Sequence, residues 1–325
     1  MNDTCMRAAI VGCGAIAPNH ANALKEISGV KLVACADIRP ERTQAFAEKY
    51  DAKPYNSLED MLNAEQIDVL HICTPHYLHA PMIEQALARG LYVFTEKPPI
   101  IFPEQLERLR SLPGIERVGV CFQNRWNPAT LRVKELLASG ELGAAKGIRA
   151  FVTWTRGAEY YTESGWRGQI ATEGGGVLVN QSIHTLDLML QFMGNPTDSR
   201  AIKSTFHLEN IIEVEDTIAA RIKFGDKVGV FYATTGYVVD APVMIEITCE
   251  TGAIRIDGTD VGVLKGDKWV FEQMEVQATG EKGYWGNGHL RCIEDYYRCV
   301  RTGDAFDSSF TAVIPTAECM LALLK

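Results

Sequence analysis

The first third of the chain alternates short apolar runs with segments in which apolar residues recur at helical spacing. The apolar runs predict five strands, over residues 7–11, 31–36, 69–73, 92–95 and 116–120. Between them, segments such as 41–50 and 81–89 place their apolar residues on one helical face. Because strands alternate with helices, this part of the chain predicts an α/β fold with a doubly wound parallel sheet.

Two local signals indicate where helices begin and end in this region. Gly90 follows the segment 81–89 and is typical of a helix C-terminal cap. Ser57, with Asp60 three residues later, resembles an imperfect capping box that opens a helix over 58–63.

After Asn127-Pro128 the pattern changes to long runs typical of β structure. A helix is predicted over 129–139, and Gly140 ends it. Eight strands are predicted over 147–155, 200–206, 217–224, 228–235, 244–250, 253–257, 261–264 and 268–272. Turns such as Gly225-Asp226 and Gly266-Asp267 indicate hairpins. We therefore predict a C-terminal α+β domain built on a large, mainly antiparallel open sheet, with domain limits of 1–122 and 123–325.

Length and composition agree with two globular domains. The chain has 325 residues, 46% hydrophobic and 22% charged, which excludes a disordered or fibrous protein. Thirty-two Lys and Arg stand against 41 Asp and Glu without a dense basic run, so we expect no nucleic-acid partner and no membrane partner. Since the chain also shows no long apolar span and no leader-like start, we expect it in the cytoplasm.

The nine cysteines predict reduced thiols that act as small buried hydrophobic groups. Their number is odd, and they form no C-x-x-C pair. Cys292 and Cys299 lie seven residues apart on one predicted helix face, which is not the ligand pattern of a zinc site. We predict no metal.

A glycine-rich turn follows the first predicted strand. Gly12, Gly14 and Ala17 form the pattern G-x-G-x-x-A between a strand and a helix. Gly12 permits the tight turn, Gly14 lets a pyrophosphate approach the backbone, and Ala17 permits close helix packing. Asp37 ends the second predicted strand, about 20 residues later, where a carboxylate binds the adenosine ribose. Together these features predict a dinucleotide site in a Rossmann domain.

The residues around Asp37 bear on the choice of dinucleotide. A carboxylate at this position repels the 2′-phosphate of NADP. Arg39 and Arg42 follow closely and offer a partner for a phosphate, but we favour a solvated turn for them. The sequence therefore predicts NAD, with NADP less favoured.

Further motifs give the chain a resemblance to a known family. Thr74-Pro75 with His79, Glu96-Lys97-Pro98, residues 123–125 and 166–168, and the run from Gly174 to His184 follow the nucleotide motif. In this order they resemble the Gfo/Idh/MocA oxidoreductases over essentially the whole chain. The resemblance implies carbohydrate-like substrates, namely sugars, inositols or their derivatives. It also implies a homodimer or homotetramer formed through the C-terminal sheet.

The resemblance and the nucleotide loop together give a predicted cofactor-binding set. Its members are Gly12, Gly14, Ala15, Ile16, Asp37, Arg39, Thr74, Pro75, His79, Glu96, Lys97 and Asn124. In the family the Lys97-Pro98 bond is often cis. Lys97 would donate to the substrate oxygen and stabilise the alkoxide as hydride leaves.

The glycine run at 174–176, followed by an apolar stretch that ends at Gly194, predicts a helix. Asn180, His184 and Asp187 fall on one face of it, and the apolar surroundings suggest that this face lines a cleft. His184 matches the family's catalytic histidine, and an imidazole suits a base that takes a hydroxyl proton. Asn180 departs from the family, where Asp is common, and because Asn carries no charge we assign it a hydrogen-bonding role in the site.

Aromatic and basic residues suggest where a substrate binds. The segment 156–173 contains Tyr160, Trp166 and Arg167, which suit the C–H face and the oxygens of a sugar, although a packed loop would also explain them. A second aromatic loop at 283–289 offers a further contact. The predicted substrate-binding set is Lys97, Arg125, Trp166, Arg167, Asn180 and His184.

Three functional hypotheses follow. The first is an NAD-dependent dehydrogenase or reductase that acts on a secondary alcohol or ketone of a carbohydrate-like substrate, with Lys97, His184 and Asn180 at the reacting centre. The second is an NAD-dependent glycosidase that uses transient oxidation and regenerates its bound cofactor. The third is a catalytically inactive dinucleotide sensor, which Lys97 and His184 argue against.

Overall fold

A computed structural model describes residues 5–275 and 288–325. The chain forms two compact units: the first comprises residues 1–123 and 288–313, and the second comprises 124–287 and 314–325. Residues 288–313 thus belong with the N-terminal part of the chain, which the sequence did not indicate. The limits 1–122 and 123–325, as boundaries of independently folding domains, stay a prediction.

The first unit is built on a six-stranded parallel sheet. Its strands are β1 (Met6–Val11), β2 (Val30–Ala36), β3 (Lys53–Tyr55), β4 (Val69–Ile72), β5 (Tyr92–Thr95) and β6 (Val118–Val120). They lie in the order β3-β2-β1-β4-β5-β6, and all neighbours are parallel. The order reverses between β1 and β4, and open α/β sheets bind their ligands at the carboxyl ends of strands at such a reversal.

The second unit is built on an eight-stranded sheet. Its strands are β7 (Ala145–Thr153), β8 (Asp198–Ser204), β9 (Thr217–Phe224), β10 (Lys227–Thr234), β11 (Met244–Cys249), β12 (Gly252–Asp257), β13 (Asp260–Lys265) and β14 (Lys268–Gln273). The order is β14-β13-β12-β11-β7-β10-β9-β8. Only the β7 and β10 pair is parallel, so the sheet is mainly antiparallel, as predicted.

The described residues also form α-helices, several of which overlap the predicted segments 41–50, 58–63, 81–89 and 129–139. They are α1 (Ala17–Glu26), α2 (Pro40–Tyr50), α3 (Leu58–Ala64), α4 (His79–Leu87), α5 (Pro103–Arg110), α6 (Pro128–Ser139), α7 (Ala158–Thr162), α8 (Ile170–Glu173), α9 (Ile183–Met193), α10 (Gly288–Thr302) and α11 (Phe310–Leu324). Ser57 caps α3 by accepting a hydrogen bond from the backbone N–H of Asp60. Gly140 ends α6 in the left-handed region that favours glycine.

The structure confirms the predicted fold class, with two differences. Strand β3 was not predicted, because three residues that include Pro54 give no alternating pattern. Helix α9 begins at Ile183, later than predicted, so Asn180 lies in the turns before the helix and not on its face. The glycines explain this: Gly174 has a φ of +84°, and a Cβ on Gly176 would overlap the Glu215 carbonyl oxygen.

The thiols behave as the sequence predicted. All nine cysteines are free, and eight of them are buried, with Cys5 exposed. Among the described residues, the helices are too short or too polar for a membrane span.

Candidate active site

The turn after β1 has the shape that a dinucleotide loop requires. Gly12 has a φ of +88°, and a Cβ there would lie 2.6 Å from the carbonyl oxygen of Cys73, so only glycine fits against the end of β4. A Cβ on Gly14 would meet no atom within 4 Å. Gly12 thus closes the turn on the sheet, and Gly14 leaves open space beside the N-terminus of α1, where a pyrophosphate fits.

Asp37 is held against this loop. Its Oδ2 accepts a hydrogen bond from the backbone N–H of Cys13 at 2.8 Å, and its Oδ1 accepts one from the backbone N–H of Arg39 at 2.9 Å. Each carboxylate oxygen keeps a lone pair for a further donor, such as a ribose hydroxyl. The loop and the end of β2 are therefore fixed together, and the residues present fit an NAD molecule.

The other residues of the predicted nucleotide set differ in exposure. Ala15 and Arg39 are exposed, and Ile16 is half-buried at the start of α1. A hollow runs from the loop to α2 and is lined by Cys13, Gly14, Ala15, Pro18, Arg42, Ala45, Phe46, Lys49 and Tyr50. Arg42 lines this hollow as an exposed residue in the first turn of α2.

The loops after β4 and β5 are joined by a buried histidine. His79 is completely buried, with Nδ1 2.7 Å from the Pro98 carbonyl oxygen and Nε2 2.8 Å from that of Thr74. The Lys97–Pro98 peptide bond is cis. Thr74, Pro75 and Lys97 are half-buried at the edge of the sheet where β1 also ends. His79 thus lies beneath these loops and positions them.

Glu96 belongs to a buried network that sequence reasoning missed. Its Oε1 lies 3.0 Å from Nε2 of His20, and its Oε2 accepts from the backbone N–H of Lys97 at 3.3 Å. Nδ1 of His20 is 2.9 Å from Nδ1 of His71, whose Nε2 is 3.0 Å from the Tyr297 hydroxyl. The signal in the sequence was weak: His20 falls on the apolar stripe of α1 with Ala17, Ala21 and Leu24.

The pKa values of His20 and Glu96 are shifted in the directions that favour an ion pair between them. Burial lowers the pKa of His20, but Cys121 and Glu96 raise it, and the result is a pKa of about 9. Burial likewise raises the pKa of Glu96, but the hydrogen bond and charge of His20 hold it well below its usual range. His289, in the first turn of α10, lies 4.0 Å from the same carboxylate, and burial lowers its pKa to about 4.

His20 and Glu96 also belong to the one candidate metal-ligand cluster among the described residues. Possible ligand atoms of His20, Glu96 and Cys121 lie within 4.8 Å of one another. Two ligands of a tetrahedral zinc ion would lie about 3.3 Å apart, given zinc bonds of about 2 Å. The 3.0 Å between His20 and Glu96 is instead the length of a hydrogen bond. We interpret the cluster as a hydrogen-bonded network.

In the second unit, His184 and Asn180 stand at the start of α9. His184 is half-buried in the first turn, and its chain neighbours Ile183 and Thr185 are buried. Asn180 is also half-buried, and its backbone N–H donates to the Gly176 carbonyl oxygen at 2.9 Å. Packing of the apolar faces thus fixes the backbone that carries both side chains.

Asn180 has a charged neighbour that the sequence did not indicate. Its Nδ2 donates to Oε1 of Glu173 at 2.5 Å, and the backbone N–H of Gly168 donates to Oε2 of Glu173 at 2.5 Å. Burial raises the pKa of Glu173 to about 7, although both hydrogen bonds oppose the shift. A carboxyl group seven residues before Asn180, next to a glycine run, was the available signal.

Asp187 and Arg125 form a buried ion pair. Nε of Arg125 donates to Oδ2 of Asp187 at 2.8 Å, and Nη2 donates to Oδ1 at 2.6 Å. Both side chains are 1% exposed, and the Thr316 hydroxyl also donates to Oδ1. The expectation that Asp187 lines a cleft is therefore wrong. Since the guanidinium is committed to this pair, we assign Arg125 to the fold and not to a substrate contact.

The aromatic segment forms a small stacked cluster. The Arg167 guanidinium lies 4.3 Å from the ring centre of Tyr160 and 4.9 Å from that of Trp166. Nε of Arg167 is buried and makes no hydrogen bond with the described residues.

Asn124, from the predicted cofactor-binding set, is half-buried, and its backbone carbonyl oxygen accepts a hydrogen bond from the Thr130 hydroxyl. Residues 283–287 of the second aromatic loop lie outside the described residues.

Two family models match the chain. Residues 6–116 match an oxidoreductase family with an NAD-binding Rossmann fold, and residues 130–255 match the GFO/IDH/MocA C-terminal domain. The chain belongs to the Gfo/Idh/MocA oxidoreductase family. This membership confirms the resemblance found in the sequence, the fold class, and NAD as the family's cofactor.

Curated Gfo/Idh/MocA relatives include dehydrogenases of sugars and inositols. A D-glucoside 3-dehydrogenase from Escherichia coli is 32% identical over 212 residues, which are 63% of this chain and 57% of the relative. An inositol 2-dehydrogenase from Salmonella paratyphi B is 33% identical over 144 residues, 42% of this chain and 43% of the relative. The chain therefore spans about half the length of the curated relatives it matches.

Solved structures of the family resemble the whole chain. The WlbA dehydrogenase from Chromobacterium violaceum, solved in complex with NADH and UDP-GlcNAcA, is 28% identical with a TM-score of 0.86, over 99% of this chain and 94% of that chain. The WlbA dehydrogenase from Bordetella pertussis, solved with the same two ligands, is 29% identical with a TM-score of 0.83, over 98% of this chain and 95% of that chain.

Proposed function

We propose that this protein is an NAD-dependent oxidoreductase that transfers hydride between the nicotinamide and a secondary alcohol or ketone of a sugar, an inositol or a sugar derivative. The nucleotide loop carries the proposal, because Gly14 leaves open space at the N-terminus of α1 and Asp37 faces the loop with lone pairs free for a ribose. Sugar and inositol dehydrogenases among the relatives supply the substrate class.

The proposed mechanism assigns two groups to the reacting oxygen. NAD, when bound, supplies the hydride acceptor. His184 takes the proton of the substrate hydroxyl, and Lys97 donates a hydrogen bond to the same oxygen while the hydride leaves the carbon and the C=O bond forms. In the reverse direction, protonated His184 returns the proton. The Glu96 carboxylate accepts from the Lys97 backbone N–H and so holds the start of that loop.

The stacked cluster supports a polar, partly aromatic substrate subsite. Trp166 offers an aromatic face for the C–H surface of a sugar, and the half-buried guanidinium of Arg167 offers donors for a substrate oxygen. Asn180 adds an amide that can donate or accept.

A screen of alcohols tests the proposed function. We expect NADH absorbance to accumulate when the protein is mixed with NAD and a panel of glucosides, inositols and nucleotide sugars, with one ketone formed per NADH. Release of the glucoside's leaving group without NADH accumulation would instead show the glycosidase reaction. No reaction with any member, despite NADH binding, would contradict the proposal.

The carboxylate of Asp37 predicts a strong preference for NAD over NADP. At 100 times its dissociation constant, NADH should stabilise the folded protein by about 2.7 kcal/mol. We expect an Asp37→Ser variant to lose most of the NADH effect and to gain a response to NADPH, since the charge that repels a 2′-phosphate is gone. Thermal unfolding with each nucleotide measures this.

Glu41→Gln, an exposed neighbour on α2, is the matched control and should respond as the wild type does. Equal shifts with NADH and NADPH in the wild-type protein would refute the assigned role of Asp37.

We also propose that the outer face of the second sheet joins copies of this chain into a homodimer or homotetramer. Val228 and Val230 on β10 and Ile202 on β8 are 42%, 49% and 80% exposed, an apolar surface that a monomer would leave in water.

A further inference from the structure

Glu173 is a buried carboxyl group with donors on both oxygens. It is the last residue of α8, and its side chain has no exposed surface. The Gly168 backbone N–H points at Oε2 and the Asn180 side-chain N–H points at Oε1. Of these two donors only the Asn180 amide can turn over, because the Gly168 N–H is part of the backbone.

The surroundings of Glu173 contain charges of both signs. Arg167 favours the ionised carboxylate of Glu173, and Glu215 opposes it. The hydroxyls of Tyr160 and Tyr161 also interact electrostatically with Glu173. The burial of the group outweighs the favourable contacts. Both protonation states are therefore available to this carboxyl group near neutral pH.

We propose that Glu173 is a positioning residue whose protonation sets the hydrogen-bonding direction of Asn180 toward the substrate. This inference rests on the proposed function, in which Asn180 contacts the substrate oxygens. When Glu173 is ionised, its Oε1 can only accept a hydrogen bond and therefore binds Nδ2 of Asn180. Oδ1 of Asn180 then faces the substrate and accepts from an alcohol. A proton on Glu173 must lie on Oε1, since Oε2 faces the fixed Gly168 N–H, and it then donates to Oδ1. The Asn180 amide turns over and presents Nδ2 as a donor to a ketone.

The two reaction directions should therefore depend on pH in opposite senses. We expect kcat/KM for alcohol oxidation to rise as pH increases through about 7, and kcat/KM for ketone reduction to fall. Asn180 thus stands where the family commonly has Asp. Glu173 supplies the titrating carboxyl group instead, and it acts on the substrate through its hydrogen bond with Asn180.

The variant Glu173→Gln separates this role from simple packing. The glutamine oxygen must accept from Gly168, so its Nε2 faces Asn180 and demands Oδ1, as protonated Glu173 does. We expect oxidation to fall about tenfold at high pH, on the scale of one mispaired hydrogen bond, while reduction is retained and both pH profiles become shallower near neutral pH. Glu163→Gln, an exposed residue of the same segment, should keep the wild-type profile.

A second variant and a second measurement complete the test. Asn180→Ala should make both pH profiles shallower in the same way, and adding Glu173→Gln to it should change nothing further. Because the proton binds Glu173 more tightly in the folded protein, its stabilising effect is full below the ordinary pKa of 4.5 and disappears as pH rises through about 7. The wild-type Tm should therefore fall from pH 5 to pH 8.5 by more than the Tm of Glu173→Gln.

The outcomes distinguish two failures. If wild-type protein oxidises no alcohol in the screen, the proposed function fails, whatever the Tm shows. If the wild type is active and Glu173→Gln keeps its pH profiles in both directions, the inference about Glu173 is overturned and the proposed function stands. An unchanged pH dependence of Tm in Glu173→Gln would also overturn it.

Discussion

Replacing His184 by Ala should lower turnover by about 100-fold or more while cofactor binding is retained. A positioned general base contributes about that factor to proton transfer, and the substrate hydroxyl has to lose its proton as hydride leaves. His184 lies in the first turn of α9, half-buried, on a helix whose apolar faces are packed, so removing the imidazole leaves the backbone in place.

The measurement is steady-state turnover at saturating alcohol and NAD, with NADH binding checked by thermal unfolding. Gln191→Ala is the matched control, because it lies two turns along the same helix and has the same intermediate exposure. We expect that variant to turn over at nearly the wild-type rate. A His184→Ala enzyme with wild-type turnover would remove the base from the mechanism.

Replacing Asp187 by Asn should destabilise the second unit by about 3–5 kcal/mol, because it leaves the guanidinium of Arg125 buried beside a neutral amide. The pair has two hydrogen bonds, at 2.8 and 2.6 Å, and neither side chain is more than 1% exposed. The change preserves side-chain volume, so the loss reflects charge and not packing.

The midpoint of urea unfolding measures this effect. Glu107→Gln removes one partner of the exposed Arg110 pair on α5 and should leave the midpoint unchanged. If Asp187→Asn unfolded at the wild-type midpoint, the pair would not support the fold, and Arg125 would again be a candidate for substrate binding.

Most strands were predictable from the sequence, because the alternation of apolar and polar residues in a strand is set by neighbouring residues. Strand β9 has the predicted bounds, and its residues alternate between buried and more exposed positions along its length. Gly12 and Asp37 were also predictable, since a glycine turn and a carboxylate at fixed spacing after successive strands are themselves sequence patterns.

Long-range pairing explains what the sequence did not show. Arg125 pairs with Asp187, which lies 62 residues later in the sequence, and His71 contacts Tyr297, which lies 226 residues later. No periodicity of the sequence connects partners so far apart. The late start of α9 has another cause: the glycine run packs against Glu215, and its backbone forms turns where a helix was predicted. The same packing brings Glu173 to Asn180, which neither residue type predicts alone.

The fate of the substrate hydrogen tests the central claim most directly. An alcohol found in the screen, carrying deuterium on the carbon to be oxidised, should be incubated with the protein and NAD, and both products should be analysed by mass. Hydride transfer predicts one deuterium in each NADH and one ketone for each NADH. Deuterium that stays in the sugar while its leaving group departs, with no net NADH, would contradict the account and show a glycosidase.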